Sequence, residues 1–200
     1  MPDPPTVNIF TRYILENPWP IGLALLGVAA GLLWLGLREG LANRIKLGGI
    51  FALVSAGVIA TGQIVTTPAE HGRSVTRQFV DAAAEQRLNE AEALLAPDAM
   101  LGLGSPTNPG FDRNTLTSAM QQLRGRYAID WHQITTLNAY TREDDLAEIH
   151  MTILVQSPGT RPIRSRWVIH INRQPDDDWL INRITCISIN DREPRERWFR

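Results

Sequence analysis

The chain opens with two long apolar stretches, and its pattern changes after them. Residues 18–37 contain no charged side chain, and residues 47–65 contain Gln63 as their only strongly polar one. A helix of about twenty residues spans roughly 30 Å, the thickness of the hydrocarbon core of a bilayer. Trp19 and Trp34 lie near the two ends of the first stretch, where indole rings favour the membrane interface. The pattern predicts two transmembrane helices.

A cleaved signal peptide is the other interpretation of the first stretch. The apolar run is longer than that of a signal peptide, and the preceding tail, residues 1–17, carries Arg12 against Asp3 and Glu16. A signal peptide needs a positively charged start and a shorter apolar run. We therefore expect an uncleaved anchor.

The two predicted helices should pack against each other as a hairpin. Small residues recur every four positions in the second stretch, at Gly48, Ala52, Ala56 and Ala60. Gly27 and Gly31 offer a matching groove on the first stretch. Such spacing lets helix backbones approach closely in lipid.

The segment between the two stretches predicts the orientation in the membrane. Residues 38–46 contain Arg38, Arg44 and Lys46 against Glu39 alone. Short loops rich in Lys and Arg stay in the cytoplasm. We therefore expect both termini and everything after Thr67 to lie outside the cytoplasm, in a protein of the cell membrane.

The rest of the chain alternates between helical and strand patterns. A helical pattern covers residues 69–96, with a break near residues 86–89, and Pro97 should end it. A short strand at residues 100–103, a loop at 104–114 and a helix at 115–124 should follow. Four strands are then predicted at residues 127–140, 146–156, 163–172 and 179–190. Helices followed by an antiparallel meander indicate an α+β domain over residues 67–190, with a charged tail at residues 191–200.

Composition narrows the function classes. After Thr67 the chain has sixteen Arg, no Lys and eighteen Asp plus Glu. This balanced charge without a basic cluster argues against binding to nucleic acid. Cys186 is the only cysteine, so an intrachain disulfide is excluded.

Residues 70–190 resemble the nuclear transport factor 2-like superfamily, which includes SnoaL-like cyclases and ketosteroid isomerases. The resemblance depends on the order of elements and on two segments, VTRQFVDAAAEQRLNEAEALLAPDA and WLINRITCISIN. These look like the first two helices and the closing strand of that superfamily. The resemblance implies a curved sheet wrapped around helices, a cone with a pocket at its open end, and a homodimer formed through the outer sheet face. Since this fold serves many functions, the function must come from the site.

No catalytic motif can be matched residue by residue. The sequence lacks HExxH, GxSxG, a phosphate-binding loop and paired CxxC motifs. Tyr127, Trp131 and Arg183 are the pocket candidates, because aromatic and cationic side chains on strands can line a cone. The alternative is that Trp131 belongs to the core and the other two are structural or solvated.

Histidines and acidic runs do not predict a metal site. His132, His150 and His170 fall on three different strands, and separate strand histidines are more often surface or cross-strand residues than ligands. Asp176, Asp177 and Asp178 lack the alternating spacing of a calcium loop. We therefore expect neither a metal nor a cofactor.

The apolar alternation of the strands predicts a register and an outer face. Aligning Leu137, Ile149 and Ile171 in one inner row makes His150 and His170 direct neighbours on the outer face. The predicted contact residues of that face are Ile134, His150, Thr152, Leu154, Val168 and His170, among polar neighbours such as His132, Arg166 and Gln156.

Two functions of different class remain open. The first is a membrane-tethered binding or assembly module that holds a small apolar ligand or pairs with a second subunit. The second is a membrane-anchored enzyme of the isomerase or dehydratase type. A pocket filled by its own side chains would favour assembly, whereas one that holds a partly buried histidine or carboxylate would favour the enzyme.

Overall fold

A computed structural model describes residues 19–64, 66–124 and 128–195. The chain divides between Thr67 and Pro68 into two compact units. We call the first the helical hairpin and the second the α+β domain, and each is described by itself.

The helical hairpin consists of α1 (Trp19–Glu39) and α2 (Ala42–Ile64). Both helices are long and apolar enough to cross a membrane, judged by length and composition. The prediction of a nine-residue loop at 38–46 is wrong, because only Gly40 and Leu41 separate the helices. Gly40 has a φ of 69°, which a glycine adopts without steric cost and which ends α1 abruptly.

The two helices meet through small residues that recur every seven positions. Gly22, Ala29 and Gly36 are the buried residues of α1. On α2, Gly48 lies against Leu33, and the buried Ser55 donates a hydrogen bond of 2.7 Å to the carbonyl oxygen of Gly22. A spacing of seven keeps one face of each helix in contact over several turns.

The predicted spacing of four is therefore wrong for this contact. A methyl group placed on Gly27 or Gly31 would meet no atom within 4 Å, and Ala56 and Ala60 are exposed. Small residues occur on more than one face of these helices, so their frequency alone did not identify the face in contact.

Within the described residues, the α+β domain has three α-helices, a short 3-10 helix (Gln122–Arg124) and one sheet. The helices are α3 (Pro68–Ala84), α4 (Leu88–Ala93) and α5 (Arg113–Gln121). The strands are β1 (Leu95–Leu103), β2 (Trp131–Glu143), β3 (Leu146–Gln156), β4 (Ile163–Arg173) and β5 (Trp179–Ile189). Their order in the sheet is β1-β5-β4-β3-β2. The α+β class and the four-strand antiparallel meander are confirmed, but β1 is longer than expected and pairs with β5 in parallel, which makes the sheet mixed.

The helices cover one face of the sheet, which we call the inner face. Gly72 lets α3 approach β3 closely, because a Cβ atom there would lie 2.7 Å from the Cβ atom of Ala147. The core consists of α3, α4 and α5 side chains packed on the inner rows of the strands. One such row joins Ile149, Ile169 and Ile184.

The register of the central strands differs from the prediction by two residues. Ile149 pairs with Ala139 and Ile169, instead of Leu137 and Ile171. A shift of two keeps every side chain on its face, so the apolar pattern fits both registers equally well. The predicted pairing of His150 with His170 is wrong, since His150 pairs with Val168 and His170 with Glu148.

A β-bulge in β2 changes which side chains face inward. Ile134 pairs with Ile153 and Thr136 with Thr152, so Thr135 is an extra residue on β2. Before this bulge the even-numbered residues face the core, and after it the odd-numbered ones do. Ile134 therefore packs against the core, and the prediction that it lies on the outer face is wrong.

The outer face of the sheet holds a buried charged group, which we call the Glu148 cluster. Glu148 is 4% exposed and accepts hydrogen bonds from His150 (2.7 Å), His170 (3.2 Å) and Arg142 (2.8 Å). The ring of Tyr140 covers His150 edge-on. Burial by itself raises the pKa of Glu148, but the three donors hold that pKa far below the ordinary value of 4.5. The cluster joins β2, β3 and β4 through one carboxylate.

Replacing Glu148 by Gln should lower the free energy of unfolding by roughly 2–4 kcal/mol near neutral pH, because it leaves buried donors without their charged acceptor. Since the pKa of Glu148 is depressed in the folded chain, its stabilisation is complete above the ordinary value of 4.5 and is lost as pH falls below it. As pH is lowered, the free energy of unfolding of the variant should therefore fall less steeply than that of the native chain. Denaturant unfolding of the full chain across this pH range measures both effects.

Glu143→Gln is the matched control, because Glu143 is an exposed β2 residue outside the cluster. Equal acid slopes for Glu148→Gln and Glu143→Gln would show that the Glu148 cluster does not govern acid stability.

Candidate functional site

A cavity of about 340 Å³ lies between the helices and the inner face of the sheet. This volume is at the lower end of the range of pockets that enclose small molecules. The cavity belongs entirely to the α+β domain, with walls from α3, α5 and strands β1 to β5. Its floor is the core row that contains Ile169 and Ile184.

The walls of the cavity are almost entirely apolar. Phe79 and Val80 come from α3, and Leu116 and Met120 come from α5. Strands contribute further large side chains, namely Leu101, Met151, Ile153, Val155, Ile163, Trp167, Ile169, Ile184 and Ile189. None of the lining residues in the part of the chain that the structure describes is Asp, Glu, Lys or Arg. Such walls favour an apolar molecule over a charged one.

Four polar residues among those described line the cavity, and two of them, His132 and Ser157, lie at one end of it. His132 is the second residue of β2, Ser157 follows the end of β3, and Gln122 follows the end of α5. The start of β2 and the end of β3 lie together, since Trp131 pairs with Gln156. The fourth, Ser165, accepts a hydrogen bond of 2.7 Å from the indole nitrogen of Trp167.

Among the described lining residues, His132 is the one with the chemistry of a proton-transfer group. Its Nε2 atom lies 3.1 Å from Oδ1 of Asp81 on α3. The side chain of His132 is 24% exposed and that of Asp81 is 51% exposed, so solvent reaches the pair at this end of the cavity. An ionised carboxylate can only accept, so Nε2 donates to Asp81 and Nδ1 carries the lone pair of the neutral ring.

The structure places the three predicted pocket residues as follows. Tyr127 lies outside the described residues. Neither Trp131 nor Arg183 lines the cavity. Trp131 is 44% exposed at the start of β2, and Arg183 lies in the outer-face row of His170, where it donates to the carbonyl oxygen of Asn108.

The outer-face candidates divide into covered and accessible side chains. His150 and Val168 are buried within the domain itself, which leaves them little area for a partner. Thr152, Leu154 and His170 are partly exposed. A homodimer through this face remains a prediction, and it depends on those three residues and their neighbours.

Sequence reasoning assigned His132 to the outer face and did not single out Asp81. The bulge at Thr135 moves His132 to the inner face, opposite Val155. The spacing of Phe79, Val80 and Ala83 on α3 does carry a signal for Asp81, because it places that residue beside an apolar helix face.

Thiol and metal chemistry receive no support from the described residues. Burial raises the pKa of the Cys186 thiol to about 12, which keeps it protonated and unreactive. Within residues 19–64, 66–124 and 128–195, no group of three His, Cys, Asp or Glu side chains has the geometry of a metal site.

Comparison with known proteins gives the fold. No family model and no curated protein matches the sequence. Among solved structures, an NTF2-like protein of unknown function from Pseudomonas putida KT2440 superposes with a TM-score of 0.50 at 14% identity, over 59% of this chain and 84% of that one.

Two further structures are similar at lower scores. An NTF2-like protein of unknown function from Shewanella oneidensis MR-1 has a TM-score of 0.49 at 11% identity, over 60% of this chain and 98% of that one. A ketosteroid isomerase-like protein from Erwinia carotovora atroseptica SCRI1043 has a TM-score of 0.43 at 13% identity, over 57% and 92%. At these identities the likeness concerns the fold alone, and the α+β domain has the NTF2-like fold that the sequence predicted.

Proposed function

We propose that this chain is a membrane-anchored protein that binds a small apolar molecule in the cavity of its α+β domain. The observation that carries the proposal is the cavity of about 340 Å³ with its uncharged, apolar walls. The cavity is partly open to solvent and is bordered by core side chains such as Met151 and Ile169. A concave, mostly apolar space of this size is typical of ligand sites and favours a ligand-binding role over a domain filled by its own side chains.

The surface of the helical hairpin supports the membrane anchor. Many of its large apolar side chains are exposed, among them Leu23, Leu26, Trp34, Ile50 and Leu53. In the helix contact, small residues lie against large apolar side chains of the other helix, as Gly22 does against Ile59 and Gly48 against Leu33. A hairpin folded in water would bury its large apolar side chains, because exposing them to water is unfavourable. Lipid removes that penalty, and small residues then give the closest helix packing.

The orientation follows from the charges around the turn of the hairpin. Arg38, Arg44 and Lys46 exceed Glu39, and Glu39 forms an ion pair with Arg44. Positive residues beside short loops favour the cytoplasmic side. We propose that the turn lies in the cytoplasm and the α+β domain outside it.

Cysteine labelling of intact cells tests this topology. A cysteine at the exposed position of Asn43, near the turn, should be protected from a membrane-impermeant maleimide, whereas Ser118→Cys in the α+β domain should react. Native Cys186 is a silent background, because it is buried and its thiol has a pKa of about 12. Labelling of Asn43→Cys together with protection of Ser118→Cys would reverse the orientation.

Filling the cavity should abolish binding. Ala119 lines the cavity on α5, and its neighbour Ser118 is exposed on the same helix. Ala119→Phe should weaken binding of a neutral fluorescent hydrophobe such as aminoanthracene by about tenfold or more. The added ring takes up space that the ligand needs, and forcing both into the cavity costs about 1–3 kcal/mol. The full chain in lipid nanodiscs is titrated, and empty nanodiscs correct for partitioning into lipid.

Ser118→Phe is the control, since it adds the same ring one position away, where the side chain faces solvent. It should leave the affinity within about twofold of the native chain, as surface changes usually do. Equal affinities of Ala119→Phe and Ser118→Phe would show that the hydrophobe binds elsewhere and would remove the basis of the proposal.

Catalysis is the second candidate function, and the His132–Asp81 pair favours it. A histidine whose Nε2 atom is held by a carboxylate has its other nitrogen free to take a proton, and the pair lies at an apolar site that accommodates a small substrate. One reaction that such a base can perform is removal of a proton next to a carbonyl group.

Deuterium exchange into methyl octyl ketone, followed by NMR, tests whether the chain catalyses this proton removal. The native chain should exchange the protons next to the carbonyl above the buffer rate, and His132→Phe should reduce that rate by about 10²-fold, the usual contribution of a general base. His71→Phe is the control, because His71 stacks on Trp179 and does not line the cavity. Equal exchange by the native chain and His132→Phe would exclude His132 as the base.

A further inference from the structure

We infer that the cavity selects a small neutral lipophile that carries one hydroxyl group, and that His132 accepts a hydrogen bond from that hydroxyl. This inference rests on the proposed function, because it takes the cavity as the binding site. It adds the chemical class of the ligand, which follows from the size of the cavity, the charge of its walls and the position of its polar residues.

Size sets the first limit. At the roughly 30 Å³ that a water molecule takes up in the liquid, the cavity of about 340 Å³ accommodates roughly eleven non-hydrogen atoms. A ten-carbon alcohol, for example, fits this volume. A larger lipid would have to leave part of its chain outside.

Charge sets the second limit. Among the described residues that line the cavity, there is no Lys or Arg that would pair with a carboxylate, and no Asp or Glu that would pair with an ammonium group. Asp81 lies beyond His132 and is already bonded to it. An ion without a partner in apolar surroundings loses several kcal/mol of solvation or changes its protonation state. A neutral molecule avoids this cost.

The arrangement of the polar residues orients the ligand. His132 and Ser157 lie at the end of the cavity where β2 begins, since Trp131 pairs with Gln156, whereas Ile169 and Ile184 lie in the core row at its floor. Along β3, Val155, Ile153 and Met151 form a continuous apolar wall about 13 Å long, at roughly 3.3 Å per residue. One polar group beside His132 and an apolar body along this wall satisfy both parts of the cavity.

The state of His132 decides which polar group fits. Its Nε2 atom donates to Asp81, so the neutral ring has its remaining lone pair on Nδ1. An acceptor at this position needs a donor from the ligand. A hydroxyl group provides one, whereas an ether or an ester does not.

Competition between matched ten-carbon compounds tests this inference. Aminoanthracene is displaced from the full chain in nanodiscs by n-decanol, by methyl nonyl ether, which has the same number of non-hydrogen atoms, and by decanoate. The native chain should prefer n-decanol over the ether by about three- to tenfold, the usual contribution of one hydrogen bond. Decanoate should bind more weakly than both.

Variants separate the hydrogen bond from differences in lipid partitioning. His132→Phe keeps an aromatic ring in the wall but removes the acceptor, so the ratio of alcohol to ether affinity should fall toward that of partitioning alone. Asp81→Asn should reduce the ratio as well, because an amide can donate to Nε2 and no longer fixes the proton there. His71→Phe should leave the ratio unchanged.

The outcomes distinguish this inference from the proposed function. If Ala119→Phe blocks aminoanthracene but the native chain binds alcohol and ether equally, or binds decanoate most tightly, the ligand class is wrong and the binding function stands. If Ala119→Phe does not affect aminoanthracene, the binding function itself fails. An unchanged alcohol-to-ether ratio in His132→Phe would assign the preference to a residue other than His132 and overturn the inference.

Discussion

The extra residue in β2 is the constraint on which the chemistry of the cavity depends. Thr135 has no partner of its own on β3, because Ile134 pairs with Ile153 and Thr136 with Thr152. Strand side chains alternate between faces, so one inserted residue exchanges the faces of everything before it. His132 consequently faces the cavity within reach of Asp81. With a regular β2, His132 would face outward and its imidazole would be lost from the cavity wall.

The two faces of the sheet meet opposite demands. On the inner face the apolar side chains leave a cavity, so this face loses part of the packing that a filled core would have. On the outer face, Glu148 and His150 are nearly sealed from water, and the three donors use both oxygens of the Glu148 carboxylate. This cluster ties β2, β3 and β4 together in one register. A sheet that is fixed from outside can keep a space open on its inside.

The helices and strands could be predicted well from the sequence, whereas the register between the strands could not. The local periodicity of the apolar residues explains both results. Helices and strands follow from local periodicity, which gave β3 at residues 146–156 and the neighbouring strands within a few residues. Register depends on which of several equivalent alignments packs best, and a shift of two residues leaves the apolar pattern of Ile149 and Ile169 intact. The stripe of Gly22, Ala29 and Gly36 was missed for a related reason, since small residues occupy several faces of α1.

The candidate site was harder to predict because none of its parts is local. His132 and Asp81 are separated by 51 positions and meet only when α3 lies along β2. The bulge that turns His132 inward has no glycine or proline to mark it, and Thr135 is an ordinary strand residue. Trp131 and Arg183 have the right chemistry for a pocket, but the first lies before the cavity wall and the second faces outward. The residue type indicated which side chains could line a pocket, whereas the alternation of side chains along each strand determined which of them face the cavity.

The hairpin and the cavity, taken separately, favour the same kind of ligand. Large apolar side chains on the outside of α1 and α2 are stable in lipid, and a molecule that suits the cavity, being small, neutral and mostly apolar, also concentrates in lipid. Only three residues, from Val65 to Thr67, separate α2 from α3 in sequence. In the membrane-anchored arrangement that we propose, a domain joined to the bilayer by so short a segment would meet lipophiles at the high concentration that they reach in lipid. A cavity with few specific contacts would then be occupied in spite of a weak affinity.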